Sequence, residues 1–551
     1  MSGGYVRRVI KNILTERLRE LSSIYGFEVP TFFEIEVPKK KDFGDFSTNV
    51  ALILSKVMKK NPREIANLVL NDFKNELFSK IEIAGPGFIN FFLDEMTLKR
   101  LLEDISNNFD NFLSPKSDEK KKIFIEYVSA NPTGPLHVGH GRGACVGSSL
   151  SNILKELGHE VHQEFYVNDA GSQIKNLGLS IILRGKELNG ENVEYSKDCY
   201  MGEYVSDLAR EFMKKYKSLE LSDDFISLAS LFGKNIVVSW IKKDLEDFGV
   251  NFDNFQSEYE LFEKGYVDQC IDEMKKKGIV YEKDGAIWFK STDFFDDKDR
   301  VLVKENGEKT YFASDIAYHK LKFEKGYDLY INIWGADHHG YVPRVKSAIK
   351  ALGYDENKLN ILMVQMVSLF RDGKPVTMSK RSGDFVTLRE VLDEVGKEPM
   401  RFTFLTRKHD SPLDFDIDLI KQKTSDNPVF YVQYMFARIN SVFKVATEKG
   451  IKIPDKMVFS RLNLEEEKEL IKQIFAFPDV LFDVEYFLEP HLLAYYLINL
   501  AQTFHSYYNA HRFINENDLE LTYSRMSLLI LLQKIIKKGL SLLGIESPER
   551  M

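Results

Sequence analysis

Residues 122–167 read KIFIEYVSANPTGPLHVGHGRGACVGSSLSNILKELGHEVHQEFYV, and this stretch decides the fold. It opens on KIFIEYVSA, a short apolar run of strand character that breaks into a loop rich in proline and glycine. Val146, Leu150, Ile153, Leu154 and Leu157 then recur at helical spacing and form one apolar stripe, closed by Gly158. EVHQEFYV, at 160–167, reads as a second strand. Strand, helix, strand in so short a span is the unit of a parallel sheet with a helical crossover.

Working outward, DLYINIWGAD (328–337) and NILMVQMVSL (360–369) supply further strand-like runs, whereas about 185–300 is more charged and largely helical, an insertion in the sheet domain. Residues 1–113 begin as a helix and close with IEIAGPGFINFFLD, two strands around a Gly-Pro-Gly turn. SPKSDEKKK (114–122) reads as a linker. After Asn427-Pro428 the chain turns helical and aromatic: Leu493, Leu497, Leu500 and Phe504 share one helix face, and SLLILLQKIIKKGLSLLGI makes another helix stopped by Gly544. The expected architecture is multidomain α/β. An N-terminal α+β domain (1–113) precedes a Rossmann-like parallel-sheet catalytic domain (114–370), a junction (371–426) and a C-terminal all-α helical bundle (427–551).

The 551 residues are 44% hydrophobic and 29% charged, ample for several cores. No apolar run approaches the ~18 residues needed to span a bilayer, and the N-terminus turns polar before a signal core forms. Cys145, Cys199 and Cys270 are isolated, which supports neither a disulfide framework nor a cysteine zinc site. A cytoplasmic protein with no membrane partner is expected. The net charge of −8 argues against a protein that coats nucleic acid indiscriminately, but leaves room for local basic surface.

His137 and His140 fall where the first strand hands over to the helix. A helix N-terminus offers unpaired N–H groups and a positive dipole end, which suits phosphate. Gly139 and Gly141 leave room for a flat base against the backbone, so the arrangement suits ATP across the strand ends. His-x-x-His could hold a metal, but no third ligand lies nearby, so no structural metal is expected. The glycines could equally serve close helix packing. GKPVTMSKRSGDFVTL (373–388) weighs for the nucleotide: a Gly- and Ser-rich loop carrying Lys380 and Arg381, suited to closing on a triphosphate tail.

His137-Val138-Gly139-His140 resembles the HIGH signature of class I aminoacyl-tRNA synthetases, and Met378-Ser379-Lys380-Arg381 resembles their KMSKS loop, with Thr377 in place of its first lysine. SANPTGPLHVGHGRGA, YVNDAG (166–171), WGADHHGYVPR (334–344), SPLDFD (411–416), NPVFYVQYMFARI (427–439) and the terminal SPERM narrow the likeness, across nearly the whole chain, to bacterial arginyl-tRNA synthetases.

The resemblance implies activation of L-arginine by ATP with substrate-bound Mg2+, then transfer to the 3′ end of tRNA(Arg), by a monomer. His137, His140 and Lys380 would be catalytic. The nucleotide site would include Gly139, Gly141, Asp337, His338, Met378, Ser379 and Arg381. Glu126, Ser129, Asn131, Tyr311, Asp315, His137 and Asp337 would receive arginine, since a guanidinium pairs with carboxylates in fixed geometry. Phe88 and Asn90 would meet the tRNA elbow, and Tyr434, Tyr508 and Met551 the anticodon. A catalytically inactive tRNA-binding paralogue is the alternative, and a nucleotidyltransferase sharing the histidine motif would have no need of the C-terminal bundle.

Overall fold

The computed structural model describes residues 6–30, 33–38, 40–376, 386–424 and 427–551. Its centre is a five-stranded parallel sheet in the order Leu359–Val364, Leu329–Gly335, Lys122–Glu126, Glu160–Val167, Asn254–Ser257. The first strand of the domain, Lys122–Glu126, therefore lies in the middle, with later strands running outward on either side. That reversal opens a crevice at the carboxyl ends of Lys122–Glu126 and Leu329–Gly335, where doubly wound sheets hold ligands. Ile123, Phe124 and Ile125 are all buried, as a central parallel strand covered on both faces requires.

Two expectations are corrected here. The run 360–369 is not one strand. Leu359–Val364 stays in the parallel sheet, whereas Val367–Arg371 pairs with Lys374–Val376 and Leu413–Asp416 in a separate three-stranded sheet. The break at Gln365 is clamped by backbone: its N–H donates to His409 O at 2.8 Å, and its carbonyl accepts from Arg142 Nη1 at 3.0 Å. Nor is 185–300 wholly an insertion, because Asn254–Ser257 is the fifth strand of the main sheet.

Much of the rest of that segment is helical, Glu203–Tyr216 and Asp223–Asp247 packing on Ser172–Leu188, but Val280–Lys283 and Ala286–Phe289 are strands that join Arg300–Val303 in a separate three-stranded antiparallel sheet. Gly178 permits the tightest contact: a Cβ there would lie 2.2 Å from Ser230 Oγ and 2.4 Å from Ile226 O. Asp223–Asp247 is the described helix long and apolar enough in composition to cross a bilayer.

The N-terminal residues form a four-stranded antiparallel sheet, with Phe88–Leu93 between Phe46–Thr48 and Phe78–Ala84, flanked by Val6–Tyr25, Val50–Met58 and Pro62–Leu70. The C-terminal bundle comprises Pro428–Glu448, Glu465–Phe487, His491–Ala510 and Leu519–Leu542. Leu493, Leu497, Leu500 and Phe504 are each fully buried, and Asn427 caps the first helix by accepting from Val429 N–H at 3.3 Å.

The bundle is joined to its neighbours by polar contacts as well as apolar ones. Arg7 grips Asp483 with two bonds of 2.8 and 2.7 Å, and Lys468 reaches Glu95 at 2.9 Å. The segment 114–122 is seated rather than loose: Ser117 donates to Glu485, whose other oxygen meets His159 Nε2 at 2.8 Å. Arg401, fully buried, donates to Leu543 O at 2.8 Å, Phe248 O at 3.2 Å and Ser148 Oγ at 2.9 Å. Those carbonyls end Leu519–Leu542 and Asp223–Asp247, so two negative helix ends balance a guanidinium that has no acidic partner among the described residues. Gly544 leaves the space, since a Cβ there would sit 2.6 Å from the guanidinium.

Candidate active site

The helix Val138–Glu156 starts at the crevice with His137 as its N-cap. The rings of His137 and His140 stack with centroids 3.6 Å apart and planes 24° from parallel. His137 N–H donates to His140 Nδ1 at 3.2 Å. Because that nitrogen accepts, the neutral His140 ring carries its proton on Nε2 and offers it as a donor. Both rings are partly exposed at the helix mouth.

The expected flap, with Thr377, Met378, Ser379, Lys380 and Arg381, lies outside the described residues. Its two roots are described. The upstream root is the hairpin Val367–Arg371 and Lys374–Val376, whose Asp372-Gly373 turn has φ of 51° and 68°, values that suit a tight hairpin turn. At the downstream root, Thr387 forms an antiparallel bridge with His137, and Leu388 N–H donates to Leu136 O at 2.7 Å. Thr387 and Leu388, far from the histidine pair in sequence, thus meet it at this cleft.

Gly139 and Gly141 differ in role. A Cβ on Gly139 would come 3.0 Å from the His137 ring, so glycine there keeps the imidazole in place. The Cβ direction of Gly141 is filled by Leu388 Cδ1 at 2.7 Å and Phe404 at 3.3 Å, and the residue is buried. The expected room for a base at Gly141 is corrected: its missing side chain lets Leu388 pack. Earlier in the loop, Tyr204 from the helical insertion donates to Thr133 O at 2.9 Å and lies where a Gly134 side chain would be. One task of the insertion is therefore to support the loop that delivers His137.

At the end of the first strand, Val128 and Ser129 have φ of 68° and 44°. Positive φ is rare for non-glycine residues, and for β-branched valine it marks stored strain of about 1–3 kcal/mol, characteristic of functional sites. Ser129 Oγ secures the bend by donating to Glu126 Oε1 at 2.9 Å and accepting from Tyr166 N–H at 3.2 Å. Glu126 is buried, not a strand-surface acid, and its Oε2 meets Lys322 Nζ at 2.6 Å. Asn131 donates to Gln173 Oε1 at 2.8 Å.

Asp315 projects from the helix Tyr311–Glu324 and is 6% exposed. Its Oδ1 faces His319 Nδ1 at 3.3 Å, and its Oδ2 is buried beside the Tyr341 hydroxyl without a well-aligned hydrogen bond among the described residues. Among the described residues two further buried hydroxyls here make no well-aligned hydrogen bond: Tyr166, and Tyr341, which faces the Asp315 carboxylate. Burial and the adjacent carboxylates hold both phenols well above their usual range, hence protonated. Tyr311 is half-exposed beside Tyr341, ring centroids 6.2 Å apart. Glu258, 3% exposed, accepts from Ser314 Oγ at 2.6 Å. Burial, with Asp315 and Asp169 nearby, lifts its carboxyl to about 7. Asp315, and Glu258 once ionised above about pH 7, place negative charge beside Tyr166 and Tyr341. Asp337 and His338 sit on the turn Ala336–Tyr341, exposed at the mouth and 3.5 Å apart.

In the bundle, Tyr434 and Tyr508 come together around a residue that sequence reasoning missed. The Arg438 guanidinium lies 4.5 Å from one ring centroid and 4.6 Å from the other, and also donates to Asn509 Oδ1 at 3.2 Å. Tyr434 and Met551 are exposed. In the N-terminal sheet, Phe88 is half-buried at the strand start. Asn90 is corrected: it is 3% exposed mid-sheet, its amide oxygen taken by Ser47 at 2.8 Å, which makes it a sheet residue rather than an edge offered to a base.

Tyr166 and Tyr341 lay within quoted motifs, YVNDAG and WGADHHGYVPR, which could have flagged them. Glu258 and Lys322 carried no signal, since a lone acid or lysine reads as surface. Among the described residues no group of three or more His, Cys, Asp or Glu forms a metal cage.

Comparison with known proteins agrees with this geometry. A profile for the class I tRNA synthetase (R) catalytic domain matches residues 103–409, one for the arginyl tRNA synthetase N terminal domain matches 8–93, and one for the DALR anticodon binding domain matches 432–551. Arginine–tRNA ligase of Geobacter sp. (strain M21) is 47% identical over 530 residues, covering 95% of this chain and 96% of its own. The ligase of Citrifermentans bemidjiense has the same identity and coverage. Thermus thermophilus arginyl-tRNA synthetase superposes with a TM-score of 0.77, covering 99% of this chain and 100% of its own; at 21% identity the likeness is one of fold.

Proposed function

From the premise that this chain belongs to the arginyl-tRNA synthetases, we propose that the Asp315 pocket receives the arginine guanidinium while His137 and His140 receive the triphosphate. The protein is an ATP-dependent arginine–tRNA ligase. No observation favours the inactive paralogue.

The carboxylate of arginine attacks the α-phosphorus of ATP, the bond to the bridging oxygen breaks, and pyrophosphate leaves with the electron pair. Charge moves towards the leaving phosphates. The amino end of Val138–Glu156, the Nε2–H of His140, and Lys380 with Arg381 on the flap act where that charge develops. Mg2+ bound with ATP would supply positive charge to the phosphates as pyrophosphate leaves. The 2′-hydroxyl of the terminal tRNA adenosine then takes the arginyl group and AMP departs. Arg438 between Tyr434 and Tyr508 is the anticodon platform, a cationic and aromatic surface for an unstacked base.

One observation supports the substrate assignment: the buried Asp315 carboxylate, whose Oδ2 has no well-aligned donor among the described residues, beside the Tyr166 and Tyr341 hydroxyls. A planar cation completes those bonds, and a neutral isostere of arginine leaves them broken, a penalty large enough for ~10⁴-fold discrimination without editing. The test is pyrophosphate exchange with tRNA present. Asp315→Asn raises the arginine KM at least a hundredfold and the ATP KM less than threefold. An unchanged arginine KM overturns the assignment.

A further inference from the structure

Three buried side chains, Lys322, Asn332 and His319, connect the two acids assigned to arginine, Glu126 and Asp315. Lys322 Nζ meets Glu126 Oε2 at 2.6 Å and Asn332 Oδ1 at 2.8 Å; Asn332 Nδ2 meets His319 Nε2 at 3.0 Å; His319 Nδ1 meets Asp315 Oδ1 at 3.3 Å. No member is more than 6% exposed. Sheet register sets the midpoint: Asn332 lies directly opposite Glu126 on the neighbouring parallel strand. The helix Tyr311–Glu324 supplies Asp315, His319 and Lys322, separated by four and three residues and so on one face.

The chain has a single hydrogen-bonding sense. His319 Nδ1 faces two oxygens, Asp315 Oδ1 and the Asp315 carbonyl at 2.9 Å, so it carries the ring proton. Nε2 of the neutral ring must then accept, which fixes the Asn332 amide with its NH2 towards His319 and its oxygen towards Lys322. Lys322 has only donors and gives them to Asn332 and Glu126. Every bond agrees, and no residue can turn over without breaking two.

We propose that Lys322, Asn332 and His319 are positioning residues that hold the two arginine-recognising carboxylates at fixed orientation, and thereby set affinity for arginine without touching the nucleotide. Lys322 balances the buried charge of Glu126, keeping its Oε1 aligned on Ser129. His319 holds Asp315 Oδ1, which turns Oδ2 towards the pocket. Asn332 transmits one orientation to the other. The proposal rests on the arginine pocket assigned above.

The test compares His319→Leu, His319→Gln and Lys322→Gln with the wild type in pyrophosphate exchange, using full-length protein with tRNA, alongside thermal melting. Glutamine at 319 can donate to Asp315 and accept from Asn332; leucine can do neither. The expected result is an arginine KM raised at least tenfold in His319→Leu and Lys322→Gln, an ATP KM within twofold of wild type, and recovery of most of the arginine affinity in His319→Gln. If His319→Leu does not fold, Lys322→Gln, which keeps two donors, carries the test. Arginine and ATP KM rising together, or neither rising in Lys322→Gln, overturns the positioning role. Asp315→Asn separates the two readings: should it raise the arginine KM while the network variants do not, the network falls and the pocket stands. Should it too be silent, the pocket assignment itself fails.

Discussion

Thr387 is bridged to His137, and the N–H of the following residue, Leu388, is bonded to Leu136 O at 2.7 Å. The chain leaving the flap is therefore joined to the residue that opens the signature helix. Leu388, fully buried, fills the space over Gly141 that a side chain would occupy.

This contact predicts coupling between positions 141 and 388. Gly141→Ala puts a methyl 2.7 Å from Leu388 Cδ1 and should raise the ATP KM severalfold. Leu388→Ala leaves a cavity worth about 2–5 kcal/mol of stability. The double variant should be less impaired than the sum of the singles, because the new methyl enters the vacated space. Strict additivity in exchange kinetics and urea unfolding would show that the contact is not shared.

A second expectation concerns pH. Glu258, beside Asp315 in the proposed arginine pocket, is pushed up to about 7 because burial, with Asp315 and Asp169 nearby, opposes its charge. Above that pH the ionised carboxylate attracts a cation; below it, the proton cancels the attraction. The kcat/KM for arginine, which reports the free enzyme, should fall as pH drops from 8 to 6. Glu258→Gln should flatten that limb. A limb of the same shape in the variant would assign it to another group.

A third lies at the junction of the N-terminal helix and the bundle. Asp479, buried between Arg7 and Asp483, is pushed up to about 7, chiefly by desolvation. Its unfolded value is near 3.8, so between about 4 and about 7 the folded state keeps a proton the unfolded chain has lost. Stability from this group falls as pH rises through that window. Asp479→Asn should match the wild-type melting temperature near pH 4 and exceed it increasingly up to pH 8. A difference that stays constant with pH would count against a titrating Asp479.

The fourth concerns Arg401, whose donors satisfy two helix-end carbonyls in a site with no exposure. Arg401→Met leaves those acceptors unpaired, at a cost on the order of 3 kcal/mol, and should lower the melting temperature by several degrees. Arg401→Lys should recover little, since an ammonium cannot span Leu543, Phe248 and Ser148 at once. Full stability in either variant would mean that water replaces the guanidinium.

Period and punctuation made much of this molecule readable in advance. Apolar spacing at 3.6 residues with Gly158 and Gly544 as stops marked helices that are present, and the short Ile123–Ile125 run marked the central strand, because these signals are local. The histidine pair and the distant Lys380 loop pointed to the family that the comparisons show, because few residue types recur in such motifs. Tertiary structure decided the rest. Whether a glycine faces a ligand or a leucine, as Gly141 does, depends on what packs opposite. That Glu126 pairs with Lys322 was not readable from either residue alone; parallel register and a helix face brought them together in the buried interior. Electrostatic energy depends on distance and burial, and a linear chain specifies neither until it has folded.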